Sequence, residues 1–335
     1  MVKLILFNRY HNVIKEIGLF LPPRIRSMVE KLPFELLEQA EEIRLRHSRP
    51  LMLHWNDGEA YLGKSGVVGK AKDAHFVSGE DLEKTLELIS NHSLYAFEEE
   101  LRQGYITLPG GHRVGLAGRA VVEKGKVKIF SNISGLNIRI ARQIKGTAER
   151  VLPFLVDRAT GRLFHTLIIS PPQGGKTTML RDLARLISDG VGILGQGQKV
   201  GIVDERSEIA GSFRGVPQLE VGIRTDVLDA CPKAEGIMLM LRSLSPRVIV
   251  TDELGREADA DAVIEAIHCG VTIITSVHGS SLEEICNRPV IATLLQNSYF
   301  ERLIFLSNAQ GAGTLEAIVE GERGLPLFSS QSKGE

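Results

Sequence analysis

Three cysteines in 335 residues, Cys231, Cys269 and Cys286, show no metal-ligand spacing and cannot all pair. That excludes a disulfide scaffold and a zinc module, and it fits reduced thiols in a cytosolic protein. Aromatic residues make up only 5% of the chain and the formal net charge is -1. The strong basic charge and the interleaving of aromatic and basic side chains that grip nucleic acid are both missing. No apolar run approaches the ~20 residues that cross a bilayer, and Leu4 to Phe7 is too short for the core of a secretory signal. The expectation is a soluble, cytoplasmic protein, at most peripheral to a membrane. Internal repeats and low-complexity tracts are absent as well. With 43% hydrophobic and 24% charged residues, a chain of this length holds two domains, each with its own core.

What the sequence does have is concentrated in residues 165–178, His-Thr-Leu-Ile-Ile-Ser-Pro-Pro-Gln-Gly-Gly-Lys-Thr-Thr. Leu167 to Ile169 read as a buried strand and Ser170 to Gly175 as a tight loop. Thr177 opens a helix whose Leu180, Leu183, Ala184 and Ile187 recur at helical spacing. Strand, loop and helix ending in Gly-Lys-Thr make a phosphate-binding loop. Its small residues let successive backbone N–H groups turn toward one anion, and the helix N-terminus adds partial positive charge. Ser170, Pro171, Pro172, Gln173, Gly174, Gly175, Lys176, Thr177 and Thr178 are therefore the expected ATP cradle. Lys176 reaches the β- and γ-phosphates, and the Thr177 hydroxyl ligates Mg²⁺. One position departs from the pattern: Ser170 stands where the first glycine is expected.

Residues 151–328 alternate strand and helix, the pattern of a parallel sheet covered on both faces. Val248 to Thr251 form a strand ending in Asp252-Glu253, Lys199 to Asp204 one ending in Asp204-Glu205, and Val271 to Val277 one ending at His278. In such folds the strands' carboxyl ends carry the site. Asp252 is expected to hold Mg²⁺ through water. Glu253 is the preferred base for the attacking water, with Glu205 its competitor. A neutral imidazole at His278 can sense the γ-phosphate. Between these strands, residues 211–230 read as a long loop and Pro232 as the start of a helix. Glu257 to His268 read as another helix, and 301–306 with 314–319 as an antiparallel hairpin at the sheet edge. Residues 329–335 read as a polar tail.

Residues 1–150 read as a mixed α+β domain without a catalytic motif. Ile43 and Leu45 alternate with Arg44 and Arg46, as in a half-buried strand. Asn56-Asp57-Gly58 is a hairpin turn. Ser78 caps a helix, and a second helix is expected around 94–101. Strands are expected at 104–108, 112–122, 126–130 and 137–141. Arg113, Arg119 and Arg139 fall on them.

Several longer segments resemble a known family: Gly-Ile-Val-Asp-Glu-Arg-Ser-Glu-Ile (201–209), Arg-Gly-Val-Pro-Gln (214–218), residues 222–236, Val-Ile-Val-Thr-Asp-Glu-Leu-Gly-Arg (248–256) and Glu-Glu-Ile-Arg-Leu-Arg (41–46). They are similar to the stage III sporulation AA family across nearly the whole chain. That family resembles the motor ATPases of type II and type IV secretion, in the RecA-like branch of P-loop NTPases. The resemblance implies an ASCE/AAA-type ATPase core behind an N-terminal mixed α+β domain. It matches Asp204-Glu205 to an acidic box, Asp252-Glu253 to Walker B and His278 to a histidine box. It also implies a homo-oligomeric, hexameric ring that uses ATP and Mg²⁺, with Arg139 or Arg113 completing a neighbour's site. The implied location is the mother-cell side of the forespore membrane, where the ring powers membrane proteins of a channel complex. A nucleic-acid motor is the alternative, opposed by the near-neutral charge. A nucleotide-binding scaffold without hydrolysis is a third reading, opposed by the intact acidic motifs.

Overall fold

The computed structural model describes residues 16–55, 58–91, 97, 100–101, 104–123 and 125–330. The chain divides into two compact units, Met1–Arg142 and Gln143–Glu335. Residues 143–150, which the sequence reading joined to the first half, are held by the second unit. The Ala148 N–H donates to Asp182 at 2.9 Å, and Lys145 pairs with Glu220.

Helices α1 (Pro23–Val29), α2 (Phe34–Gln39) and α3 (Gly79–Ser90) and strands β1 (Glu42–Arg46), β2 (Met52–Trp55), β3 (Gly58–Gly63), β4 (Gly66–Val68), β5 (Tyr105–Thr107), β6 (Arg113–Glu123) and β7 (Lys126–Arg139) make up the first unit. Its strands run in the order β4-β3-β2-β1-β7-β6-β5, each antiparallel to its neighbour. Ile43 and Leu45 are fully buried beside Leu53, Val114 and Ile138, so the alternation in β1 faces as expected. Ser78 and Asp81 cap α3 reciprocally. The turn at 56–57 and most of the helix expected at 94–101 lie outside the described residues. Strand β7 corrects the sequence reading: the two short strands expected at 126–130 and 137–141 are one long strand. The polar and glycine residues 131–135 masked its continuity, yet Ser131 pairs with Arg119 and Gly135 with Ala117.

The second unit contains β8 (Thr166–Ser170), α4 (Lys176–Asp189), β9 (Val200–Asp204), β10 (Thr225–Asp229), α5 (Lys233–Ser243), β11 (Val248–Thr251), α6 (Glu257–His268), β12 (Thr272–His278), α7 (Leu282–Cys286), α8 (Pro289–Gln296), β13 (Arg302–Ser307), β14 (Thr314–Glu320) and β15 (Pro326–Ser329). Its sheet runs β10-β9-β11-β12-β8-β13-β14-β15. The pairs from β10 through β13 are parallel, and the last two strands are antiparallel additions. Strand β10 lies inside the segment read as a loop. Its carboxylates, Asp226 and Asp229, suit a partly exposed sheet edge and hide the strand from a reading based on apolar runs. Strand β15 takes in Ser329, the first residue of the expected tail, which pairs with Ala317.

Successive residues of the central strands enter opposite cores. Ile168, Val248 and Val250 face one core with Leu180, Leu183 and Ile187 of α4. Leu167, Ile169 and Ile249 face the other with Ile237, Met240 and Val263. Burial on both sides is why these strands are continuous apolar runs. Because the strands are parallel, their carboxyl ends share one edge. Strand β12 lies between β8 and β11, so the loop after β8 and the carboxylates after β11 are separated by one strand.

Candidate active site

At that edge Ser170 ends β8 opposite His278 of β12. Gly175 takes φ +86° as the N-cap of α4, and Lys176 is the first helical residue. The Lys176 ammonium donates to the carbonyls of Ser170 (3.1 Å) and Pro171 (3.2 Å) and to Nδ1 of His278 (2.8 Å). The same Nδ1 lies 3.3 Å from the Ser170 carbonyl, so the ring's inner nitrogen is held against the phosphate loop and its Nε2 edge is the other hydrogen-bonding position. Burial lowers the Lys176 pKa, while Glu253 and then Glu208 pull it back up. Pro172 and Gln173 are exposed, and Thr177 and Thr178 are half-buried on the first turn of α4.

Ser170 is fully buried, and its hydroxyl donates to the Pro171 carbonyl at 3.1 Å. A Cβ on Gly174 would overlap that hydroxyl. The serine therefore fits because Gly174 has no side chain. Behind the loop, the turn between β13 and β14 closes in. The Gly313 N–H donates to the Gly174 carbonyl at 3.2 Å, and Asn308 Nδ2 donates to the Pro172 carbonyl at 3.2 Å. A Cβ on Gly175 would come within 2.6 Å of the Gly313 nitrogen.

Asp204 is fully buried, and its two oxygens accept N–H bonds from Glu208 and Ala210, both at 2.8 Å. It pins the following loop, and burial raises its pKa to about 6. Glu205 turns the other way. Its Oε2 lies 3.5 Å from Lys233 Nζ and its Oε1 3.6 Å from Arg256. Asp252 is buried with Oδ1 3.3 Å from Lys233 Nζ. Burial outweighs that lysine and holds its pKa above the ordinary range. Glu253 has φ +22°, a strained backbone for a residue with a side chain. Its N–H donates to the Ser276 hydroxyl at 3.1 Å, and its carbonyl accepts from Lys233 at 3.0 Å.

Among the described residues no cluster of three or more His, Cys, Asp or Glu could cage a metal ion. A hydroxyl at Thr177 and a carboxylate at Asp252 are hard oxygen donors. They suit Mg²⁺, which takes one or two protein ligands and completes its shell with water and phosphate oxygens.

The structure thus brings the phosphate loop, His278, Asp252, Glu253 and Glu205 to one sheet edge. Arg113 and Arg139 belong to the first unit, where they lie directly opposite each other across β6 and β7. Arg113 stacks on the Tyr105 ring at 3.9 Å, and the Arg139 side chain is 63% exposed, 3.9 Å from Glu42. Sequence reasoning passed over Lys233, Ser276, Asn308 and Gly313. Lys233 did leave a signal: a lysine in the first turn of a helix opposes the helix dipole.

The model of the family described as sporulation stage III, protein AA, matches residues 11–327. The chain belongs to that family. It is 47% identical over 305 residues to stage III sporulation protein AA of Bacillus subtilis (strain 168), covering 91% of this chain and 94% of that one. Among solved structures it is similar to the ATPase DotB of Legionella pneumophila, with TM-score 0.54 at 15% identity, covering 85% of this chain and 77% of that one. It is also similar to the pilus retraction motor PilT with bound ADP, with TM-score 0.51 at 15% identity, covering 81% and 75%. The fold is that of a RecA-like P-loop NTPase core with an N-terminal mixed α+β domain. Among the described residues no helix is long and apolar enough to cross a membrane.

Proposed function

We propose that this protein is an Mg²⁺-dependent ATPase of the secretion-motor type. It works as a homo-oligomeric, hexameric ring at the cytoplasmic face of a membrane and drives a channel complex during sporulation. The observation that carries the reading is the convergence of Lys176, His278 and Glu253 at one sheet edge. Glu253 is the carboxylate that acts most on the phosphate-loop ammonium. The likeness to DotB and PilT supports the motor fold, and the Bacillus relative's name supports the sporulation setting.

Lys176 and the N–H groups of 173–177 bind and orient the phosphates. The His278 imidazole offers the γ-phosphate or the attacking water a hydrogen bond that ADP cannot return. Thr177 and water held by Asp252 would bind Mg²⁺, which would supply positive charge against the charge developing on the phosphates. Glu253 takes the proton from water. Glu205 is the weaker candidate because each of its oxygens already faces a cation.

Lys176→Ala is expected to abolish hydrolysis and weaken nucleotide binding with an unchanged circular dichroism spectrum. Glu253→Gln should lose about 10² to 10⁴ in rate while still binding ATP, and Glu205→Gln should lose less. Near-normal turnover in a folded Lys176→Ala protein would overturn the function. Reversed severity of the two glutamine variants would move the base to Glu205.

A further inference from the structure

Pro232 is the N-cap of α5 and Lys233 its first helical residue. The side chain leaves the helix for the carboxyl edge of the sheet, and the residue is 3% exposed. A cation this deep is costly unless every N–H finds an acceptor. Here the three possible donors match three oxygens: the Glu253 carbonyl at 3.0 Å, Asp252 Oδ1 at 3.3 Å and Glu205 Oε2 at 3.5 Å.

These acceptors come from the ends of two neighbouring strands, β9 and β11. The Glu253 carbonyl belongs to a residue with positive φ. Lys233 grips that turned residue from its carbonyl side, and Ser276 accepts from its N–H. The other cations nearby, Arg206 against Glu253 and Arg256 against Glu205, are 66% and 74% exposed and 3.9 and 3.6 Å away. At that exposure water screens them. The buried ammonium is the group that can fix the carboxylates relative to one another.

We infer that Lys233 is a positioning residue for ATP hydrolysis. It binds the two acidic strand ends into one rigid unit and holds the strained Glu253 peptide, so that the Glu253 side chain meets water in line with the γ-phosphate. The inference rests on the ATPase reading. Lys233 acts through the residues it holds, the Glu253 carbonyl, Asp252 and Glu205, and its effect belongs to the transition state. A misplacement of about 1 Å in such a group costs on the order of 10² in rate.

The test compares Lys233→Met, Lys233→Gln and Lys233→Arg with the unaltered protein. It measures kcat and KM for ATP, the Kd for ADP with Mg²⁺, and retention of ADP trapped with aluminium fluoride, a mimic of the transferring phosphoryl group. The Met and Gln variants are expected to lose about 10² in kcat and to lose trapping in parallel, with the ADP Kd within about threefold. The Arg variant, which keeps the charge, should recover part of both. A folded Met or Gln variant with normal trapping and turnover overturns the inference, and so does ADP affinity falling as far as kcat. If Met destabilises the fold, Gln and Arg decide, because Gln removes the charge while keeping an N–H donor on a side chain one atom shorter. Absence of turnover and trapping in the unaltered protein would instead reject the ATPase reading itself.

Discussion

Asp204 has its side chain fully buried at the end of β9, with both oxygens used by backbone N–H groups. Burial is the largest cause of its raised pKa, about 6, and Asp252 adds to it. In an unfolded chain the same carboxyl titrates near 3.9. Between about pH 4 and 6 the folded state therefore holds a proton that the unfolded state has released. The stability from that proton is full below the unfolded value and lost as pH rises through the folded one, at most about 3 kcal/mol for a shift of this size. Asp204→Asn removes the titration and leaves one N–H facing an amide NH₂. The variant should be clearly less stable than the unaltered protein at pH 5, with the gap narrowing by pH 8. Urea unfolding at the two pH values measures this, and a gap independent of pH would show that Asp204 keeps an ordinary carboxyl in the folded protein.

The phosphate loop raises the same kind of question for a whole element. Ser170 and Gly174 compete for one space, so Gly174→Ala should push the loop out of register. Overpacking of this kind costs about 1–3 kcal/mol, which corresponds to ATP binding weakened roughly 5- to 150-fold. Ser170→Gly alone should bind normally. Adding it to Gly174→Ala should restore part of the affinity, and only part, because the Pro171 carbonyl would still lie 3.0 Å from the new methyl. Binding of a fluorescent ATP analogue to the three variants checks this, and a double variant as weak as Gly174→Ala would clear Ser170 of the clash. The loop was legible in the sequence because its residues are contiguous and sit between a short apolar run, Leu167 to Ile169, and an amphipathic helix. The carboxylates of β9 and β11 were legible for the same reason. Strand β10 was hidden by its aspartates, and β7 was split by its polar middle. Lys233, Ser276 and Asn308 come from distant parts of the chain, and only the fold brings them to the site.

At the scale of the whole molecule, Arg113 and Arg139 stand side by side on the first unit. Like charges directly opposite in a sheet cost stability, and the Glu42 carboxylate beside Arg139 offsets part of that cost. An arginine supplied by a neighbouring subunit can be worth about 10³ to 10⁵ in phosphoryl-transfer rate. Mixing Lys176→Ala chains with Arg139→Ala chains, each inactive alone, should restore some ATPase activity, because some interfaces in a mixed ring then hold two intact halves. The same holds for Arg113→Ala. No recovery for either arginine, in assemblies shown by mass spectrometry to be mixed, would leave the pair without a role in a neighbour's site.

The turn behind the phosphate loop has a consequence for descent. Gly175 is the glycine of the signature, yet the nitrogen that would meet its missing side chain belongs to Gly313, which no signature contains. Gly313 in turn takes φ +87°, a conformation that side chains resist. The two positions lie far apart in the gene and touch in the molecule. A side chain at 175 would meet backbone atoms of 313 whatever residue stood there, so change at 175 is expected only where the 308–313 turn is itself displaced. A side chain at 313, by contrast, has room and is opposed by its backbone angle alone.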